Sequence, residues 1–260
     1  MTAAEAYEAF LVPAIFEPWA RTALRARPPA PGSRVLDVAC GTGIGARLAA
    51  ALVGRAGRVI GVDADAGMLS VARKTSGRLA DAPIEWLHAN ARDLPFEASA
   101  FDVLICLEGL QFFPDRSAGL REMRRVLRPG GALVGTVWGP LEQNPGHLAV
   151  SEALRRFVSA DAARLLPFAL PEADAIRALV LGAGFREATV DLHTLHVAIP
   201  SADALVDWSA AGGPTMRHNL ALLPDDRRRE FYELVAARLS PYRTGQGLSL
   251  PSTRNIIVAR

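Results

Sequence analysis

The chain has 260 residues, half of them apolar, and a formal net charge of +2; it can bury a full core and lacks the charge excess that disorder or non-specific nucleic-acid binding brings. Two cysteines cannot build a disulfide framework, and no apolar run approaches the roughly 18 residues of a membrane span. The start carries Glu5 and Glu8 rather than the basic region and apolar core of a secretory leader, so a reduced, cytoplasmic protein, monomeric or homodimeric, without membrane or nucleic-acid partners, is expected.

Residues 1–27 place Tyr7, Phe10, Leu11, Ile15, Trp19, Ala20 and Leu24 at helical spacing. Pro13 and Pro18 should break that helix into short pieces. Pro28 to Gly32 form a rigid connector. Strands are then expected at 34–39, 58–63, 84–89, 101–107 and 131–138, with helices at 44–54, 66–79 and 115–127. Asp65 is a plausible N-cap of the second helix, and Arg128-Pro129-Gly130-Gly131 should stop the third. Such alternation means parallel βαβ units in a sheet covered on both faces. The pattern then loosens: helices at 147–165, 171–181, 202–211 and 225–239, a strand near 187–199, and a final strand at 253–259. The arginine runs at 121–128 and 227–229 read as solvated helix faces.

The stretch Arg34–Asp63 is strand, glycine turn, helix, strand and terminal acid. Glycine lets backbone approach a ligand, a helix start favours an anionic group, and Asp63 is placed to accept hydrogen bonds from neighbouring ribose hydroxyls. A nucleoside-containing ligand follows, or a tight turn with no ligand. Gly41-Thr42-Gly43-Ile44-Gly45 puts the third glycine one place early for a dinucleotide fingerprint, and no Gly-Lys-Ser/Thr ending supports a P-loop.

Four collinear motifs narrow this. They are Val35-Leu36-Asp37-Val38-Ala39-Cys40-Gly41-Thr42-Gly43; Val59 to Asp63 running into Met68; Asn90 to Phe96 running into Phe101-Asp102-Val103; and Leu120 to Gly131, LREMRRVLRPGG. Together they resemble the class I S-adenosylmethionine-dependent methyltransferases, in the ubiquinone/menaquinone-biosynthesis-like branch of small-molecule enzymes. The resemblance is close over 34–138 and only an outline over 139–260. It implies an α/β, doubly wound, Rossmann-like mixed sheet of seven strands with the last antiparallel, helices on both faces and a helical lid. S-adenosylmethionine is the implied cofactor.

Residue by residue, the resemblance implies that Asp37 and the turn Ala39, Cys40, Gly41 and Gly43 line the methionine moiety. Asp63, with Ala64 beside it, takes the ribose, and Met68 packs on the adenine. Asn90, where the family usually has Asp, still offers an amide oxygen to the adenine amino group. Ala91 offers its N–H to the ring, and Leu107 its carbonyl to the methionine ammonium. The two cysteines, Cys40 and Cys106, read as small buried thiols rather than a redox pair.

Methyl transfer from a sulfonium demands alignment and exclusion of water, and a base only when the nucleophile must lose a proton early. Ligands bind at the carboxyl ends of parallel strands, so residues 1–33 are expected as a helical cap on a 34–260 domain, with lid segments at about 139–167 and 200–252. Phe16, Gln111, Phe112, Trp138 and Trp208 are candidate walls of a substrate pocket. His147 and His218 are candidates for a base. His193 and His196 face opposite sides of a strand, and no cluster has metal-ligand spacing. The expected activity is methylation at O, N or C of a small, largely apolar metabolite or natural product. The rivals are a cofactor-binding enzyme catalysing elimination or cyclisation without methylation, and a ligand-dependent protein-interaction module with a large apolar patch on 200–245 and no substrate-sized cavity.

Overall fold

The computed structural model describes residues 1–76, 82–170 and 172–260. Five parallel strands carry the first half of the chain: β1 (Arg34–Val38), β2 (Arg58–Asp63), β3 (Ile84–His88), β4 (Phe101–Leu107) and β5 (Leu127–Trp138). β6 (Ala188–Ile199) and β8 (Gly247–Ala259) complete the order 3-2-1-4-5-8-6, with β8 antiparallel to both neighbours. The two-residue β7 (Arg243–Thr244) forms a hairpin with β8, making an eighth strand beside the expected seven. This is the expected mixed, Rossmann-like sheet. β1, buried at four of its five positions, shows the near-continuous apolar character of a parallel strand covered on both faces.

One face packs α3 (Ile44–Val53) through Ala46, Ala49, Ala50 and Val53, together with Ala23 and Leu24 of α2 (Glu17–Ala26). The other face packs Leu120 and Met123 of α5 (Arg116–Val126) and Ile176 and Val180 of α7 (Ala173–Gly182). Alanine on α3 lets that helix lie close to the sheet, whereas the opposite face takes larger side chains. A third apolar cluster, above the carboxyl edge, joins Leu11, Ile15 and Trp19 to α6 (Pro145–Phe157), α8 (Ala202–Gly212) and α10 (Arg228–Arg238).

Pro13 does not break the N-terminal helix. Helical backbone runs from α1 (Ala3–Ala6) through a π-helical turn at Tyr7–Phe16 into α2. The wider turn, closed by Glu17 N–H donating to the Val12 carbonyl, gives the proline ring room. Pro18 sits in the first turn of α2. The Arg128-Pro129-Gly130-Gly131 stop is also not a separate loop: α5 ends at Val126 and the chain enters β5 directly, with a register irregularity opposite Phe101 and Val103.

The expected helix over 147–165 ends at Phe157. Irregular backbone follows, held where Ser151 and Asn219 donate to the carbonyls of Ala163 and Ala162. α9 (Pro214–Ala221) was not expected, and β8 starts six residues before Thr253. α4 (Ala66–Ser76) is described to Ser76; the last residues of the expected helix 66–79 lie outside the described residues, as does Pro171.

Candidate functional site

The loop leaving β1 is built on left-handed backbone. Ala39, Gly41 and Gly43 have φ of 57°, 55° and 90°, a region that suits glycine and costs alanine stability. A β-carbon on Gly43 would lie 2.2 Å from the ring of Trp86, so glycine is required there by space as well as by φ. At Gly45 a β-carbon would meet Oδ2 of Asp37 at 2.7 Å. Helix α3 can therefore start directly over that carboxyl group.

Asp63 ties the end of β2 to this loop, its carboxylate accepting from Gly41 N–H and Asp65 N–H, both at 2.8 Å. Burial raises its pKa against the pull of those donors. Asp65 caps α4 by accepting from Gly67 and Met68 N–H. Asp37 is buried, with Oδ2 unpartnered. Burial pushes its carboxyl group up to about 7, although it accepts from Ala46 N–H.

A cavity of about 700 Å³ opens at the carboxyl edge of the sheet. Ala39, Gly41, Asp63, Ala64 and Met68 line one side, with Asn90, Ala91 and Leu107. Asn90 already accepts from Arg92 N–H through Oδ1, at 3.0 Å. Phe16, Phe112, Trp138 and His147 line the other side, with Leu165, Leu166, Leu205 and Met216. Asp37 and Cys40 line instead a small adjoining cavity of about 30 Å³.

Four expected residues stand elsewhere. Gly43 is turned against Trp86. Trp208 is drawn off by stacking on Phe10, ring centroids 5.4 Å apart. Gln111 lies behind the wall, donating to Glu108. His218, on α9, does not line the cavity. Both cysteines are buried and free, and burial raises both thiols. His193 and His196 lie along β6 on the edge of the sheet. Among the described residues no cluster of three or more His, Cys, Asp or Glu could hold a metal ion.

One constellation joins Glu108, a residue after the fourth strand that could contact ligand, to an arginine the sequence did not single out. Arg254, on β8, has no exposed surface, and its Nε lies 2.5 Å from Oε1 of Glu108, the residue after β4. The guanidinium carbon sits 3.7 Å from the ring centroid of Trp138 and 4.7 Å from that of Trp19. Ser252 Oγ accepts from Arg254 Nη1 and from Trp19 Nε1. Tyr7, treated in the sequence only as an apolar helix position, lines both cavities. Its hydroxyl is pushed up by burial and by Glu108. His147 packs on Trp138 and Phe168. It lines the cavity, and burial, with Arg254 nearby, pushes it down to about 3, leaving it neutral.

Residues 6–142, more than half of the chain, match the model of the ubiE/COQ5 methyltransferase family. The demethylmenaquinone methyltransferases of Bacillus cereus and Bacillus anthracis are 40% identical over 116 residues, covering 45% of this chain and 49% of theirs. The chain thus matches about half the length of these curated relatives. Among solved structures, the YcgJ protein of Bacillus subtilis shares the fold at a TM-score of 0.60 and 18% identity, covering 92% of this chain and 96% of that one. Phosphoethanolamine N-methyltransferase 2 of Haemonchus contortus, solved with S-adenosyl-L-methionine, gives 0.56 at 22% identity, covering 91% of this chain and 50% of that one. The collinear motifs, the sheet order and the family match agree: the chain belongs to the ubiE/COQ5 family of class I S-adenosylmethionine-dependent methyltransferases.

Proposed function

We propose that this protein transfers the methyl group of S-adenosylmethionine to O, N or C of a small, largely apolar molecule. The observation that carries the reading is a single cavity that joins the Asp63–Asn90–Ala91 side to an aromatic and aliphatic side. Its volume lies in the usual range for small-molecule sites. The cofactor supplies an electrophilic methyl group on a sulfonium whose sulfur leaves neutral.

The residues present fit that cofactor. Asp63 accepts backbone N–H groups from Gly41, Asp65 and Ala64 and lines the cavity, and its carboxylate retains capacity for a ribose hydroxyl. The Asn90 amide and Ala91 N–H would hold the adenine edge, with Met68 against its face. Left-handed backbone at Ala39 and Gly41 brings main chain to the cavity wall, and the Leu107 carbonyl would meet the ammonium group. Asp37, with one oxygen unpartnered, supports the same end from beneath.

The acceptor would lie against Phe16, Trp138 and Leu205, which exclude water and fix its attack line. We read residues 1–33 as a cap and 139–167 and 200–252 as lid segments. What supports this is that Tyr7, Ile15, His147, Leu165, Leu205 and Met216 all reach the cavity wall. His147, pushed down to about 3, is a poor base, and the displacement does not require one. The relatives' name, demethylmenaquinone methyltransferase, fits an apolar acceptor.

The interaction-module alternative needed a broad apolar patch on 200–245. Among the described residues there, Leu222 is the one large apolar side chain that is exposed, and a substrate-sized cavity is present. Calorimetric titration with S-adenosylhomocysteine tests the cofactor assignment. Saturable one-to-one binding is expected, weakened about 10- to 100-fold in Asp63→Ala through loss of hydrogen bonds to a charged acceptor. No binding to the unaltered protein would refute it.

A further inference from the structure

Glu108 is held in an unusual conformation at the seam of the two cavity sides. It follows the last residue of β4, its N–H donates to the Thr136 carbonyl, and its φ is 59°. A side-chain-bearing residue keeps left-handed backbone only where its surroundings enforce it, and such residues gather at functional sites. Here the enforcement is visible. Arg254 Nε grips Oε1, and Gln111 Nε2 donates to Oε2 at 3.1 Å.

Arg254 itself does not reach the cavity. Trp138 and Phe16, whose rings lie 3.7 and 6.0 Å from the guanidinium carbon, line the wall in its place. The cavity therefore borders Glu108 and two rings, not the cation. The other polar groups on the apolar side carry no charge: Tyr7, Thr215, Ser209, whose Oγ donates to the Leu205 carbonyl, Asn219, whose Nδ2 donates to the Ala162 carbonyl, and His147.

We propose that Glu108 is a specificity-determining residue for the acceptor. Its carboxylate accepts a hydrogen bond from a neutral hydroxyl or N–H group on an otherwise apolar molecule and turns away molecules bearing a carboxylate. Arg254 is the positioning residue, holding Glu108 fixed against the aromatic wall. The buried pair is thereby explained as a recognition device, since ion pairs taken out of water are weak contributors to stability. The proposal rests on the reading that the apolar side receives the acceptor.

The test uses 1-naphthol and 1-naphthoate as probes, at neutral pH, with and without saturating S-adenosylhomocysteine. The unaltered protein should bind naphthol at least about tenfold tighter than naphthoate, and Glu108→Gln should reduce that ratio about tenfold or more. The double variant Glu108→Gln/Arg254→Gln removes both buried charges and should lose the preference in the same way, even if the single variant does not fold. Equal binding of the two probes, binding of neither, or a preference that survives both variants would overturn the proposal. Failure of S-adenosylhomocysteine to bind is read separately and strikes only the cofactor assignment.

Discussion

The two sides of the cavity are built on different principles. The side formed by Ala39, Gly41, Asp63, Asn90 and Ala91 uses main chain: left-handed φ values at the end of β1 and an acid that ties β2 to the turn. Its parts lie within 34–107, on neighbouring strands in fixed register. The other side uses side chains, brought from the N-terminal π-helix, β5, α6, α8 and α9. A surface made of backbone depends on a few glycines and one acid; a surface made of side chains can be recut without disturbing the sheet.

The largest expected effect lies where the two sides meet. Arg254→Met leaves Glu108 without its cation in a buried setting and should cost about 3–5 kcal/mol, read as a lowered midpoint of denaturant unfolding. A loss below about 1 kcal/mol would show that the pair is dispensable to the fold.

Titration separates the sides in sign. Asp37 on the turn side has its pKa raised by burial, from 3.8 to about 7. The folded state therefore favours the protonated form: stability from this group is full below about pH 4 and is lost as pH rises toward 7. Asp37→Asn should be more stable than the unaltered protein by up to a few kcal/mol above about pH 7, with the gain vanishing below about pH 4. His147 on the other side is lowered from 6.5 to about 3. Its neutral form is the one favoured, so stability is full above about pH 6.5 and falls as pH drops toward 3. His147→Phe should flatten that acid limb and leave the alkaline side unchanged. Difference curves of the same sign for both variants would contradict this electrostatic division.

The smallest effect concerns the rim. Leu166 is 47% exposed while lining the cavity. Leu166→Ala should change stability by less than about 0.5 kcal/mol, while altering the affinity for naphthol.

The same contrast explains how much could be read beforehand. Strand–helix alternation and the spacing of Asp37, Gly41, Asp63 and Asn90 are local signals, and residues 34–138 were legible to within a few positions. The exceptions have local causes: Pro13 is absorbed by a π turn, and the Arg128–Gly131 stretch is pulled into β5 by pairing with β4. The aromatic and aliphatic side was less legible, because its contacts join distant segments. Trp19 meets Ser252, Glu108 meets Arg254, and the irregular 158–165 stretch is pinned by Asn219 of a helix that periodicity did not reveal. Aromatic residues were expected as a class, and Trp208 stacks on Phe10 whereas Trp138 lines the cavity. Nothing in the sequence separates those two outcomes.

The central claim is that donor and acceptor occupy separate sides of one cavity. Calorimetric titration of S-adenosylhomocysteine into the unaltered protein, Asp63→Ala and Leu166→Ala tests it most directly. The account predicts tight binding to the first, a loss of about tenfold or more in the second, and unchanged affinity in the third. Equal losses in both variants, or no binding to the unaltered protein, would contradict it.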